Sequence, residues 1–404
     1  MKGALSAIAR QAMLQPQEAM LQTKNKKNSL FIGIPKETSF QENRIPLTPL
    51  SVAVLIHNDH EVVIESGAGA AANFSDRDYS EQGARIVYDK KEVYQADIII
   101  KIAPPTAEEI ELMKPGQILL SALQMSTLKV EYLQALMAKK ITALSFEYLR
   151  DEGGVLSVVR AMSEIVGATS VLIAAEYLSN VFDGKGLMLG GITGVPPTEI
   201  VILGAGTVGE YAARTALALG AEVKVFDSSI YRLRRLQNNV GSRVFTSVLQ
   251  PIVLEKAICT CDVAIGAIRA SHGRSPCLVT EETVSKMKPN SVIIDVSIDQ
   301  GGCFETSNVT NHTEPVFRKY DVIHYCVPNI ASRVARTATY ALTNIFTPIL
   351  LDIGEMGGIM NVVWDKPGVR NSVYLYQGQL TNQDLAEKFK IPHKDLDLLI
   401  VSNR

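Results

Sequence analysis

Several things are scarce in this chain. Its 404 residues carry a formal net charge of only −2. That gives no electrostatic case for nucleic acid or for an anionic membrane surface as a partner. No stretch reaches the roughly 18 uninterrupted apolar residues of a membrane span. The five cysteines, Cys259, Cys261, Cys277, Cys303 and Cys326, are an odd number. Most sit in or beside apolar runs, which reads as reduced core thiols in a cytoplasmic protein. Cys259-Thr-Cys261 has neither the C-x-x-C spacing nor a second ligand pair, so no metal site is expected. There are no internal repeats and no low-complexity segment. What remains is a chain 47% apolar, enough for ordinary cores, and long enough for two domains.

Residues 1–28 differ from the rest. They carry Lys2, Arg10, Lys24, Lys26 and Lys27 against one acid, Glu18. They lack the apolar centre of a signal peptide. We read them as an N-terminal arm, packed on a neighbour or mobile, rather than as a weak mitochondrial presequence.

The most informative feature lies at residues 200–209, Ile-Val-Ile-Leu-Gly-Ala-Gly-Thr-Val-Gly. A β-branched strand runs into G-x-G-x-x-G at Gly204, Gly206 and Gly209. A helical pattern follows at 207–219, then a second strand at 222–226 that ends on Asp227. Each part serves dinucleotide binding. Gly204 permits the tight turn, Gly206 the close approach of a pyrophosphate, and Gly209 close helix–sheet packing. The N–H groups of Thr207 and Val208 at the helix start, with the helix dipole, suit the phosphates. Asp227 suits the adenosine ribose hydroxyls and favours NAD over NADP. Arg232, Arg234 and Arg235 lie nearby, so that preference is not fixed by the acid alone.

Strand patterns at 30–34, 61–65, 84–87, 97–102, 118–123 and 142–146 alternate with helical patterns such as 48–58 and 128–138. Short β-branched runs alternating with helices imply parallel sheets. A long apolar helical stretch covers 158–181, and a Gly/Pro-rich turn covers 183–197. After the fingerprint, strands are expected at 263–267, 291–296 and 322–325, and a helix at 337–353. The tail holds 372–379 and a short charged helix. The fold class is therefore α/β, with two doubly wound Rossmann-like domains and the NAD-binding domain inserted in the substrate domain. The expected boundaries are 29–157 with 337–404 for the substrate domain, and 158–336 for the nucleotide domain. One long helix leads into the insert and another leaves it, which makes a double hinge. The helix at 158–181 is apolar beyond one core-facing stripe, so the chain is expected to form a homo-oligomer.

Four stretches, in order, resemble the alanine dehydrogenase family and the related nucleotide-binding subunit of proton-translocating transhydrogenase. They are Ile32-Gly-Ile-Pro-Lys-Glu-Thr with Glu42-Asn-Arg44-Ile-Pro-Leu-Thr-Pro49; Glu65-Ser-Gly-Ala-Gly69; Met162-Ser-Glu-Ile-Val-Gly167 with the Gly190-Gly191 turn and the fingerprint; and Ile294-Asp-Val-Ser-Ile-Asp-Gln-Gly-Gly-Cys-Phe-Glu305 with Tyr325-Cys-Val-Pro-Asn329. The acidic, glycine-rich loop and the membrane helices of the transhydrogenase are missing, which favours the dehydrogenase branch.

The resemblance implies interconversion of L-alanine with pyruvate and ammonium, NAD as cofactor, and a small amino acid or 2-oxo acid as partner. It implies Arg44 as the cation for the substrate carboxylate and Asp299 as the catalytic carboxylate. Ser163 matches a serine near the cofactor phosphates, and Asn329 and Ile330 match positions beside the nicotinamide. Two family positions differ. The second lysine of K-x-K falls on Ala103, and a histidine falls on Gln124. Gln124 can hydrogen-bond substrate but cannot shuttle a proton. Lys101, two residues before Ala103, points to the same face of a strand, either to reach the pocket or to serve the structure. Arg269 and His272 follow a strand at the ligand-binding end, and Arg333 and Arg336 lie near the expected cleft. His324 reads as a core histidine, and His57 and His60 as solvated. Three functions follow: an alanine dehydrogenase with an altered pocket; a related dehydrogenase of another amino acid or imine; or a non-catalytic NAD(H)-binding protein.

Overall fold

The computed structural model describes residues 28–125, 127–269 and 274–402. The expected N-terminal arm and His272 lie outside them, apart from Asn28. Two mixed, mainly parallel sheets carry the fold. The first contains β1 (Phe31–Ile34), β2 (Glu61–Glu65), β3 (Arg85–Val87), β4 (Ile98–Ile100), β5 (Ile118–Ser121) and β6 (Thr142–Ser145). Two strands from the far end of the chain, β14 (Val373–Tyr376) and β15 (Gln379–Leu380), complete it. Its spatial order is β15-β14-β6-β5-β4-β1-β2-β3, with only β14 and β15 antiparallel. The second sheet holds β7 (Glu199–Leu203), β8 (Glu222–Phe226), β9 (Phe245–Ser247), β10 (Val263–Gly266), β11 (Val292–Asp295), β12 (Val316–Lys319) and β13 (Val322–Tyr325). Its order is β12-β13-β11-β10-β7-β8-β9, with β12 antiparallel at the edge.

The strands are short and β-branched because both faces are covered. Ile98–Ile100 and Val292–Asp295 are buried at every position, as parallel strands between helix layers must be. Each sheet reverses its strand order once, between β1 and β4 in the first and between β7 and β10 in the second. Ligands of open α/β sheets bind beyond the carboxyl ends of strands at such a reversal. The topology therefore puts the loops after β1, β4, β7 and β10 where chemistry is expected.

Three long helices join and cover the sheets. We label Ser157–Leu178 α1, Thr207–Ala218 α2 and Ala335–Glu355 α3. α1 leads from the first sheet into the second, and α3 leads back. α1 is long and apolar enough to cross a membrane by length and composition alone, but it packs against α2, α3 and β11. It stops at Ser179, whose hydroxyl accepts the N–H of Val181 in a following 3₁₀ turn. The helical pattern therefore ends earlier than its apolar run. Leu172, Val181, Met188, Ile192 and Leu219 leave an exposed apolar surface around the end of α1.

Candidate active site

The nucleotide side is built by the turn from β7 into α2. Gly204 has φ +111, a conformation closed to other residues, and a Cβ there would meet the backbone of Ala267. A Cβ on Gly209 would be driven into the carbonyl of Gly204. Gly206 forms the N-cap of α2 without a side-chain cap, and a Cβ there would meet nothing within 4 Å. The amides of Thr207 and Val208 thus open on free space at a positive helix end, which fits a pyrophosphate. Asp227, at the end of β8, is 3% exposed. Its Oδ2 accepts from the Ala205 N–H at 2.7 Å and its Oδ1 from the Ser229 N–H at 2.7 Å. The acid therefore also fixes the glycine turn, and each oxygen keeps a further lone pair. Arg232 stands 3.9 Å from its Oδ2. Ser163 lies on α1, one turn before Gly167, where a Cβ would collide with the Val208 carbonyl. α1 thus crosses closely over the start of α2.

The substrate side is built by the loop after β1. Glu42 grips Arg44 along one edge, with Nε–Oε1 2.7 Å and Nη2–Oε2 2.6 Å. The other edge is freer: Nη1 lies 3.5 Å from Met162 Sδ. Burial pushes the Glu42 carboxyl up, but the Arg44 contacts and the Asn329 amide outweigh it and hold it below its usual range. Asn329 Nδ2 donates to Glu42 Oε2 at 2.9 Å, from the end of β13 in the other half. Asn329 is left-handed at φ 58 and Ile330 is buried.

The backbone at Ala103 and at Gln124 is in each case held by a carboxylate. At the end of β4, Glu37 accepts the amides of Ile102 (2.5 Å) and Ala103 (3.3 Å). At the end of β5, Glu147 Oε2 accepts those of Leu123 (2.8 Å) and Gln124 (3.0 Å). Ala103 is buried, whereas Gln124 is exposed in a left-handed conformation, φ 50. Lys101 has no exposed surface; its Nζ lies 2.8 Å from Glu109 and 3.6 Å from Glu37. Sequence reasoning allowed it either a pocket or a structural place, and the structure puts it in this buried ion cluster. Desolvation pushes the Glu37 carboxyl up to about 7, against the pull of Lys101 and the Ile102 amide.

Asp299 follows β11 and is exposed. The surrounding protein raises its carboxyl above the usual range, opposed by its own amide and by Arg269. The Arg269 charge also acts on Tyr148, which follows β6 of the first sheet. Arg269, after β10, is thus near enough to act on both Asp299 after β11 and Tyr148 of the first half. Asp295 is buried and bound by the amides of Ser297, Cys303 and Phe304 and the Ser307 hydroxyl, a brace for the Gly301–Gly302 turn.

His324 is fully buried between Thr306 and the Val322 carbonyl. His60 is not solvated as expected: it is 7% exposed and its Nδ1 accepts the Leu30 N–H at 3.3 Å. Arg333 pairs with Glu176, and Arg336 lies over Phe74. Sequence reasoning missed Glu37, Glu42, Glu147 and His312. Glu37 and Glu42 stand inside the quoted motifs, which was the available signal. Glu147 and His312 carry no local signal. All five cysteines are free, three of them buried. Among the described residues no group of three or more His, Cys, Asp or Glu is arranged to hold a metal.

Comparison with known proteins agrees with this geometry. The family models for the alanine dehydrogenase/PNT N-terminal and C-terminal domains match residues 33–166 and 170–383. The chain is 37% identical over 367 residues to an alanine dehydrogenase of Mycolicibacterium smegmatis, covering 91% of this chain and 98% of that protein. It is 37% identical over 358 residues to the alanine dehydrogenase of Bacillus subtilis, covering 88% and 94%. A solved L-alanine dehydrogenase superimposes with TM-score 0.83 at 35% identity, covering 89% of this chain and 99% of that one. A transhydrogenase from Sinorhizobium meliloti shares the fold, with TM-score 0.74 at 24% identity over 87% of this chain and 99% of that one.

Proposed function

The chain belongs to the alanine dehydrogenase/PNT family, and from that premise we propose that it deaminates L-alanine oxidatively to pyruvate and ammonium with NAD, in a pocket altered at Ala103 and Gln124. Residues 29–157 and 337–404 form the substrate half, and 158–336 the nucleotide half. The observation that carries the reading is Arg44: one guanidinium edge is held by Glu42, which leaves the other for a carboxylate. That is the geometry of bidentate carboxylate recognition. When bound, NAD supplies the two-electron oxidant. Gly204, Gly206, Thr207, Val208 and Gly209 would hold its pyrophosphate, with Ser163 beside them, and Asp227 would take the ribose hydroxyls. Asn329 and Ile330 would lie by the nicotinamide. Asp299, whose pKa desolvation raises, would accept the proton released as the carbonyl forms. Gln124 orients the substrate by hydrogen bonds. No side chain at 103 polarises the carbonyl oxygen, so the rate falls by about 10²–10⁴ relative to a site with a general acid there. The apolar surface at the end of α1 supports a homo-oligomer, and free thiols suit the cytoplasm.

The missing lysine and histidine also support a second reading. A buried alanine and a neutral amide leave room and lower polarity, which suits a larger amino acid or an imine, or a family member that binds NAD(H) without catalysis. An NADH-oxidation screen separates these. Pyruvate, glyoxylate, oxaloacetate and longer 2-oxo acids are offered with and without ammonium. Ammonium-dependent turnover with pyruvate supports the first reading, turnover only with another oxo acid the second. Binding of NADH with no turnover leaves the non-catalytic protein.

A further inference from the structure

A chain of polar contacts joins the two halves and ends on Arg44. Asn329 donates to Glu42 Oε2 at 2.9 Å, and Glu42 grips Arg44 through two bonds. The contacts around it tie the same two segments. The Asn43 amide donates to Ser332 Oγ (2.8 Å), that hydroxyl donates to the Gln41 carbonyl (2.7 Å), and the His312 amide donates to Gln41 Oε1 (2.6 Å). Loop 41–44 of the substrate half is thus seated on 312 and 329–332 of the nucleotide half.

We propose that Asn329 and Glu42 are positioning residues that aim the Arg44 guanidinium from across the cleft, so that the carboxylate anchor is complete only when the two halves are in contact. The proposal rests on Arg44 being that anchor. An arginine on a free stem samples many rotamers; a carboxylate across its Nε–Nη2 edge fixes the plane and exposes the Nη1–Nη2 edge. Glu42 needs a fixed point at each oxygen to do this; the Arg44 amide, donating to Oε1 at 3.1 Å, supplies one and leaves Oε2 in need of the second. Asn329 supplies it, held left-handed at φ 58 and followed by the buried Ile330. Asparagine tolerates that conformation better than most residues. Nucleotide that seats the 329–332 segment would therefore also order the substrate anchor. Cofactor binding before substrate is the expected order.

Three variants test this. Asn329→Gly removes the donor and keeps the left-handed backbone. Glu42→Gln weakens the grip on Arg44. Asn329→Asp keeps shape but sets two carboxylates together, beside Arg44 and with Glu37 and His312 also facing Glu42. Glu42→Gln should raise KM for the 2-oxo acid at least tenfold while kcat changes less than threefold, and Asn329→Gly should raise the same KM at least tenfold. A charge-assisted bond lost from a buried partner has about that effect. Combined, they should do no more than Glu42→Gln alone, since one acts through the other. Asn329→Asp should be worse at pH 8 than at pH 6, where the new carboxylate pair takes up a proton. Additive effects on KM, or an unchanged KM, overturn the proposal.

A second measurement needs no turnover. The Arg44 amide donates to Glu42 Oε1 at 3.1 Å. Its hydrogen exchange in the full chain should speed at least fivefold in Asn329→Gly, with exchange in β7 and α2 unchanged. If the parent protein reduces no 2-oxo acid, the functional reading fails and exchange alone decides. An unchanged Arg44 amide then overturns the relay.

Discussion

Glu37→Gln should change how stability depends on pH. Glu37 is 5% exposed at its side chain, and its carboxyl is pushed up from 4.5 to about 7. Desolvation is the main cause; Lys101 and the Ile102 and Ala103 amides oppose it only in part, and Glu42 adds to it. Two buried carboxylates, Glu37 and Glu109, share the one buried ammonium of Lys101. The native state therefore holds the Glu37 proton more tightly than the unfolded chain does. That contribution to stability is complete below the unfolded value of 4.5 and is lost as pH rises through about 7. Ionising the group in its native place costs on the order of 3 kcal/mol. Glutamine cannot ionise. It also cannot satisfy both amides, since its NH2 would face one of them, and it leaves Lys101 with Glu109 alone. Those losses do not vary with pH. The prediction thus concerns the difference between the two proteins: Glu37→Gln gains on the parent as pH rises from 5 to 8.5. At about 2–4 °C per kcal/mol for a cooperative unit the size of the substrate half, or roughly 1 °C per kcal/mol if the whole chain unfolds together, the melting-temperature difference should move by about 3–10 °C. Scanning calorimetry of both proteins at half-unit pH steps measures it. A difference that stays flat, or that moves against the variant, refutes the reasoning.

The protein should bind NAD(H) at least tenfold more tightly than NADP(H), because a 2′-phosphate would face Asp227, which is committed to the Ala205 and Ser229 amides; calorimetric titration checks this, and equal affinities would move attention to Arg232. Ala103→Lys with Gln124→His should raise reductive amination of pyruvate at least tenfold, since it restores a cation and a group titrating near neutrality; steady-state kinetics decide, and no gain would mean that Glu37, beneath position 103, neutralises the new lysine. Light scattering should give a mass at least twice the 44.0 kDa of one chain, because Leu172, Val181, Met188, Ile192 and Leu219 are each exposed, Met188 and Leu219 around one hollow; a monomer at micromolar concentration would count against that surface as an interface.

The sheets were largely legible because their strands are buried on both faces. A run such as Ile98–Ile100 or Val263–Gly266 has no other reading between turn residues. The two strands that escaped are of another kind. Phe245–Ser247 and Val316–Lys319 are three- and four-residue edge strands with exposed positions. Their pairing with β8 and β13 decides them, not their own sequence. His60 was misplaced for a related reason. Its polar neighbours Asn58 and Asp59 suggest solvent, but the turn folds under Leu30 and encloses the ring.

The site divides along the same line. The fingerprint was readable because each glycine answers to a neighbour nearby in sequence: Gly209 to Gly204, and Asp227 to the Ala205 amide. Arg44 was readable from its motif, but its orientation was not, since the residue that completes it lies 285 positions on at Asn329. Glu37 and Glu147 were silent for the same cause. Each caps amides of a strand other than the one it follows, and no local pattern announces a tertiary cap. Their placement bears on the altered pocket. At Ala103 and Gln124 the chain presents two strand ends whose amides are held by carboxylates, one of them with its pKa raised to about 7. Desolvation raises the Glu37 carboxyl despite the Lys101 ammonium 3.6 Å away. On the proposed reading Arg44 and Asp299 act on the substrate, and the charge of Glu37 is felt at Ala103 through the amide it holds. A pH–rate profile of the parent protein should therefore show a limb near 7 that disappears in Glu37→Gln. Persistence of that limb would show that Glu37 does not carry it.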